Sequence, residues 1–325
     1  MKLPRRKFLH LAAGAATLPA LSRIARAQAY PSKPVRIMVA FAAGGTGDIL
    51  ARLIGQWLSQ RLGQPFVVEN RPGAGSNLAT ELVVNSPQDG HTLLLVSTSA
   101  AINATLYDKL TFDFIRDIAP VAGLVRAPNV LEVHPAFPAK TVREFIAHVK
   151  ANPGVVKMGK VGTGQSPHMS AELFRMMTGI EWAYMPFGST PAMLGALVGG
   201  EVQFTFDSLP SSIPHIKAGS LRALAVSTAI RSETLPEVPT LGDFVPGYEA
   251  SGWFGLGAPR NTPAEVIDKL NAEVGAAFRN SDMNAKLLGL GGMPLVGSPA
   301  EFGKLIADET EKWAKVVKFS GVKPD

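Results

Sequence analysis

Cysteine is absent from all 325 residues, which excludes disulfides, thiolate metal sites, cysteine nucleophiles and a lipid anchor through an N-terminal cysteine. Acidic residues are missing from the first 29 positions, where Lys2, Arg5, Arg6, Lys7, Arg23 and Arg26 fall. Those six account for the formal net charge of +6, so the chain from Tyr30 onward sets 26 basic against 26 acidic residues. The pI of 9.5 is therefore no argument for a nucleic-acid or anionic-membrane partner. Beyond Tyr30 the sequence holds no apolar run of membrane-spanning length, no low-complexity tract and no internal repeat.

Catalytic signatures are equally scarce. There is no G-x-S-x-G elbow, no H-E-x-x-H pair and no dinucleotide fingerprint, and the six His residues lie far apart without ligand spacing. Gly154-Val-Val-Lys-Met-Gly-Lys160 follows a phosphate-binding loop for seven positions, then places Val161 where Ser or Thr must hold Mg2+. Gly164-Gln-Ser-Pro-His168 has a slight likeness to a nucleophile site, but Pro167 and the missing second Gly count against it.

What is present begins with an address. A cationic start, an Ala/Leu-rich stretch over Leu9 to Leu21 and the small-residue signature Ala27-Gln28-Ala29 have the layout of a cleavable export signal. Arg5-Arg6 followed by Lys7-Phe8-Leu9 resembles the twin-arginine consensus, with Pro4 in place of the usual Ser or Thr. Residues 1–29 are thus expected to be a twin-arginine signal peptide and the mature protein to be periplasmic. The remaining 296 or so residues are enough for one large or two medium domains.

Along that body, strand-like apolar runs alternate with amphipathic helical windows, the pattern of parallel βαβ units in an α/β fold. Val35 to Phe41 reads as a buried strand, followed by a helix that buries Leu50, Leu53, Ile54 and Trp57 and ends near Gly63. Strands at Phe66 to Glu69 and Thr92 to Ser97 flank a helix from about Asn77 to Val84. Capping boxes at Thr141–Glu144, Thr262–Glu265 and Ser298–Glu301 announce later helices. Two extended stretches, Val121 to Pro135 and Val245 to Pro259, divide the chain into three similar parts. This predicts two α/β lobes joined by two hinge strands: residues 30–127 plus 253–325 in lobe one, 128–252 in lobe two, with a ligand cleft between them.

Two Gly-rich loops run from a strand into a helix, one per lobe, and such a start gathers free N–H groups at the positive end of the helix dipole. In Ala42-Ala-Gly-Gly-Thr-Gly-Asp48, the glycines admit a ligand, Thr46 adds a hydroxyl and Asp48 is placed to pin the loop. In Gly162-Thr-Gly-Gln-Ser166, which follows a strand expected at Val155 to Met158, Ser166 reads as the cap of the next helix with Pro167 at its first position, and His168 as a residue able to face the cleft. With few basic groups near either loop, recognition of a small carboxylate is expected to rest on backbone N–H groups, hydroxyls and water.

Over its whole mature length the chain resembles the Bug family of extracytoplasmic solute-binding proteins of tripartite tricarboxylate transporters. The resemblance rests on Tyr30-Pro-Ser-Lys-Pro34, Phe41 with Gly44-Gly45 and Asp48, Glu69-Asn-Arg-Pro-Gly-Ala-Gly75 and Asp89-Gly-His-Thr-Leu93. It continues in Gly164 to His168, Phe206-Asp207, Leu221 to Ala225, Leu235 to Thr240 and Gly247 to Ala250. It implies a type II periplasmic-binding-protein-like fold that captures a small carboxylate for membrane permease subunits, without catalysis, metal or organic cofactor, and acts as a monomer with no nucleic acid. Family ligand positions fall on Phe41, Gly44, Gly45, Thr46, Asp48, Gly164, Gln165, Ser166 and His168, with Thr98, Ser99, Asn103, Phe187, Gly188 and Asp207 as further candidates. Ala42-Ala43 and Phe187-Gly188 depart from the family's usual proline-containing and polar pairs, which favours a ligand with an apolar body. An exported hydrolase using Ser166 and His168, and a ligand sensor for a membrane signalling partner, are the alternatives.

Overall fold

The computed structural model describes residues 30–324; the export segment expected over 1–29 lies outside the described residues. Val35–Val39 (β1) is an apolar run whose alternate side chains enter two different cores. Val35, Ile37 and Val39 face one layer of helices, and Met38 and Ala40 face the other, as the period of two in a strand requires. Phe66–Asn70 (β2) and Thr92–Ser97 (β3) pair with β1 in parallel. The helices between them are Thr46–Leu62 (α1) and Asn77–Val84 (α2), followed by Thr98–Leu106 (α3) and Phe114–Asp117 (α4). The first strand is shorter than the apolar run, because Arg71 N–H takes the Val39 carbonyl and the chain turns out of the sheet at Ala40.

Ile118–Val133 (β4) is a single strand of 16 residues, about 50 Å of extended chain. Then come Val142–Ala151 (α5), Lys157–Val161 (β5), Ser166–Thr178 (α6), Ala183–Phe187 (β6), Thr190–Val198 (α7), Phe204–Ser208 (β7), Leu209–Lys217 (α8) and Arg222–Val226 (β8). Ser251–Pro259 (β9), Ala264–Arg279 (α9), Ser281–Gly289 (α10), Met293–Pro294 (β10) and Pro299–Ser320 (α11) complete the order. The strand expected at Val155 to Met158 lies two or three residues later. Val155 is 68% exposed in a turn, and β5 pairs from Lys157 to Val161 with Ala183–Phe187 of β6 and at Met158 and Gly159 with Phe204 and Thr205 of β7.

The fold is a two-lobed α/β architecture in which β4 belongs to both sheets. From Ile118 to Pro128 it pairs with β9, next to β3; from Asn129 to Val133 it pairs with β7 on one side and β8 on the other. The chain returns at Ala250–Ser251, where Ala250 N–H bonds to Ser227 and β9 begins. In the second lobe Phe145, Phe174, Phe204 and Trp182 pack ring against ring, with centroids 4.9 to 6.4 Å apart. α11 packs on α3 and β4 and reaches both crossings, through Lys312 to Glu249 (2.6 Å) and through Arg126, which meets Glu309 at 4.0 Å and donates to Ser251.

The three capping boxes have three outcomes. Ser298 and Glu301 form a complete box at the start of α11. Thr141 accepts from Glu144 N–H, but the Glu144 carboxylate reaches Lys140 N–H instead of the cap itself. At α9 the box does not form, because the Thr262 hydroxyl turns back to the Pro259 carbonyl and Pro263 becomes the cap.

Candidate ligand-binding site

A cavity of about 370 Å³ lies between the lobes where α1, α3 and α6 begin. Each start leaves N–H groups without intrahelical acceptors, and none of the three cap residues, Gly45, Ser97 and Gln165, supplies a side-chain bond. Thr46, Thr98, Ser99 and Ser166 add hydroxyls to the wall, while Phe41, Phe187 and Phe254 add aromatic rings. Phe41 and Phe254 meet edge to face at 6.1 Å.

Both loops are fixed from behind. Asp48 Oδ2 accepts from Gly44 N–H (2.9 Å) and Arg52, and Oδ1 accepts from Asn70 (3.0 Å), whose amide also donates to the Phe41 carbonyl. Burial opposes ionisation of Asp48, yet the Arg52 and Gly44 bonds, the Asn70 bond and the Arg52 charge bring its carboxyl below the usual range. Two glycines let the loops touch the opposite lobe. Gly44 has φ +83, and a Cβ there would stand 2.9 Å from Pro191 of α7; Gly164 has φ +78, and a Cβ would stand 2.5 Å from Leu106 of α3. Any other residue at either position meets both a strained backbone and a clash.

Of the positions expected at the site, Phe41, Gly45, Thr46, Thr98, Ser99, Gln165, Ser166, Phe187, Gly188 and Asp207 line the cavity. Gly44, Asp48, Asn103, Gly164 and His168 stand behind its wall. Asn103 donates to the Gly75 carbonyl (2.6 Å) and Asn77, tying the 74–76 turn to α3. His168 is 4% exposed and does not face the cavity: two residues along a helix is about 200° of rotation from Ser166. Its Nδ1 accepts from Gly164 N–H (3.3 Å) and its Nε2 lies 3.5 Å from Glu172. Burial works against the Glu172 charge, but hydrogen bonds from His168 and Tyr184 and the charge of Arg175 hold its pKa at about 2.

Ser166 is the first residue of α6 rather than its cap. Its Oγ accepts from Asn129 (2.9 Å), a fully buried residue of β4 whose side-chain amide also donates to Ser170 (2.7 Å) and accepts at Oδ1 from Ser208. Ser166 and His168 therefore share no hydrogen bond, and the nucleophile–base geometry that a hydrolase would need is not assembled.

The sequence reading passed over several wall residues. Lys160 is one, 2.7 Å from the Thr163 hydroxyl and 5.6 Å from the Tyr184 ring centroid; of the few basic groups near the loops, it reaches the cavity wall. In the sequence Lys160 is visible only as the lysine of the incomplete phosphate-loop match Gly154–Lys160. The turn from Pro72 to Ser76 is another, and there Ala74 and Ser76 hold positive φ of 47° and 86°, strain that proteins tolerate where a site needs it. Its signal was Pro-Gly-Ala-Gly75. Asn129 left no signal, since an Asn inside an apolar run reads as a lapse in the pattern.

The family model described as tripartite tricarboxylate transporter family receptor matches residues 50–322. The chain belongs to that receptor family. The receptor is 35% identical to Protein BugT of Bordetella pertussis over 301 residues, 91% of this chain and 92% of that one, so the resemblance to Bug proteins stands. Among solved structures, R. palustris Rpa4515 with adipate superposes with a TM-score of 0.88 at 37% identity, over 91% of the receptor and all of that chain. MatC from Rhodopseudomonas palustris with bound malate does so at 0.84 and 32%, over 89% of the receptor and all of MatC. Among its described residues no helix is long and apolar enough to cross a membrane.

Proposed function

We propose that this receptor captures a small carboxylate in the interlobe cavity of the periplasm and delivers it to the membrane permease subunits of a tripartite tricarboxylate-type transporter. The observation that carries the reading is the meeting of three uncapped helix starts and a set of hydroxyls, those of Thr46, Thr98, Ser99 and Ser166 among them, around one cavity between the lobes. Such a site offers an anion many neutral donors, with Lys160 as a single cation on the wall. Adipate in Rpa4515 and malate in MatC agree with a carboxylate, and the Phe41, Phe187 and Phe254 rings favour one with an apolar body.

In this reading Gly45, Thr46, Gln165 and Ser166 hold the carboxylate, Thr98, Ser99 and Gly188 line its path, and Asp48 and His168 keep the loops in place. Lobes of residues 30–127 plus 253–324 and of 128–252 close over it by flexing at Pro128–Asn129 and Ala250–Ser251. Calorimetry against mono-, di- and tricarboxylates, on protein unfolded and refolded to strip any resident ligand, is expected to find at least one with micromolar or tighter affinity. Silence across the panel overturns the proposal. Export is assigned to the twin-arginine route, so Arg5→Lys with Arg6→Lys is expected to leave the precursor in the cytoplasm; unchanged periplasmic yield would refute the route.

A further inference from the structure

Asp207 is the one acidic side chain on the cavity wall among the described residues, an awkward group for a carboxylate site. Its surroundings account for it. Asp207 is at the end of β7, and its Oδ2 accepts from the Ser211 and Ser212 hydroxyls of α8. Ser212 Oγ lies 3.0 Å from Asp207 Oδ2 and 2.7 Å from Glu132 Oε1, on the neighbouring strand β4. Glu132 is 0% exposed, and its Oε2 has no partner.

Proton counting follows from these distances. Ser212 has one hydroxyl proton and two close carboxyl oxygens, and it can donate to only one of them. The other contact is a hydrogen bond only if that carboxyl carries a proton and donates to Ser212 Oγ. Glu132 is the better holder, because an ionised Glu132 would leave a charged oxygen buried without a donor. Burial, and then the Asp207 charge, push the Glu132 carboxyl well above its ordinary range, against the Ser212 bond. Asp207 thus accepts from Ser212 and from Ser208 N–H and shares the single Ser211 hydroxyl proton with the Ser208 carbonyl 2.8 Å away, and burial still lifts its pKa to about 6. From the other lobe, Thr46 Oγ1 meets Ser211 Oγ at 3.1 Å, so the network crosses the cleft and ends at a residue that itself lines the cavity.

We infer that carboxylate capture by this receptor is coupled to uptake of one proton by Asp207, with Glu132 as a positioning residue whose own resident proton orients Ser212 towards Asp207. The inference rests on the carboxylate reading above. A carboxylate entering the cavity brings a negative charge towards Asp207, and one proton from solvent moves onto the Asp207 carboxyl. The ligand anion and the ionised aspartate together give a complex with one negative charge fewer. The acid so formed donates a hydrogen bond instead of repelling the guest.

Other charged groups near the network are accounted for. Lys160 on β5 and His168 on α6 line the small void beside Asp207; Lys160 donates to Thr163, and His168 faces Gly164 and Glu172. Arg222 on β8, one place beyond the Glu132 register partner Ala223, directs its guanidinium to the carbonyls of Pro135, Phe137 and Ala139. On α1, Asp48 is paired with Arg52. His215 and Lys217 are in the last turn of α8, at the end away from Ser211.

The test is calorimetry with adipate, or malate where adipate does not bind, at pH 5 to 8 in buffers of differing ionisation enthalpy. The dependence of heat on buffer reads the protons taken up. Wild-type protein is expected to take up nearly one proton per ligand at pH 7.5 and almost none at pH 5, with affinity falling by up to about tenfold per pH unit above pH 6. Asp207→Asn is expected to abolish uptake and flatten the profile. Glu132→Gln, whose amide N–H replaces the acid proton towards Ser212, is expected to retain the uptake. Binding without uptake, or unchanged uptake in Asp207→Asn, overturns this inference alone; loss of uptake in folded Glu132→Gln overturns the assignment of the proton to Asp207. Failure of every carboxylate to bind at any pH overturns the carboxylate reading and this inference with it.

Discussion

At the scale of single residues, the site is held by groups that a ligand would not touch. Asp48 joins the Gly44 backbone, Arg52 and Asn70 in one cluster. Asp48→Ala is expected to leave the fold intact and weaken carboxylate affinity by roughly 1–2 kcal/mol, the range for losing a cap-like bond to backbone N–H, as calorimetry would read; unchanged affinity would remove Asp48 from the design of the loop. Asp207 makes the opposite prediction for stability. Its folded pKa of about 6 lies above the ordinary 3.8, so its contribution to stability is full below the unfolded value and is lost as pH rises through the folded one. Asp207→Asn should therefore gain on wild type between about pH 4 and pH 7, reaching roughly 2–3 kcal/mol in urea denaturation at pH 8. A constant gap across that window would mean that Asp207 does not titrate there.

At the scale of elements, what the sequence disclosed depended on whether the information was local. The helix Asn77–Val84 and the strand Thr92–Ser97 were legible to the residue, because apolar period and turn residues act over a few positions. Ser298 and Glu301 formed their box for the same reason. Ser298→Ala should lower stability by about 1 kcal/mol, measurable as a shifted urea midpoint at constant slope, whereas Thr262→Ala loses no bond to a helix N–H. The misses were non-local. The register of β5 is fixed by pairing with β6 and β7, more than 20 and more than 40 residues away. The direction of His168 follows from the turn angle of a helix whose start was placed one residue late. The role of Lys160 emerges only when β5 is set against the cavity, and that of Asn129 only when β4 is seen to meet α6 and β7.

At the scale of the whole molecule, the cleft works because each lobe places a glycine where the other lobe approaches. Gly44 meets Pro191, and Gly164 meets Leu106. Gly44→Ala combines a positive φ with that approach, so it is expected to weaken binding by about 1–2 kcal/mol and to reduce the contraction that a bound carboxylate produces in small-angle X-ray scattering. A full contraction with wild-type affinity would show that the lobes do not close on that contact. Two lobes were readable from the sequence through the pair of extended stretches, but not that one of those stretches, β4, is a strand common to both sheets.

The sheet order also sets a schedule. Lobe one reads β2-β1-β3-β9-β4, so β3 and β4 are joined only through the inner strand β9, which does not exist until residue 251. Until then β3, buried along its whole length in the finished protein, presents an unpaired edge of the kind that invites aggregation. A chain threaded N-terminus first through a membrane would pass its first two hundred residues with that edge open. On the twin-arginine route proposed above, folding before passage would close it while the whole chain is still in one compartment, and the order of the strands would favour such a passage.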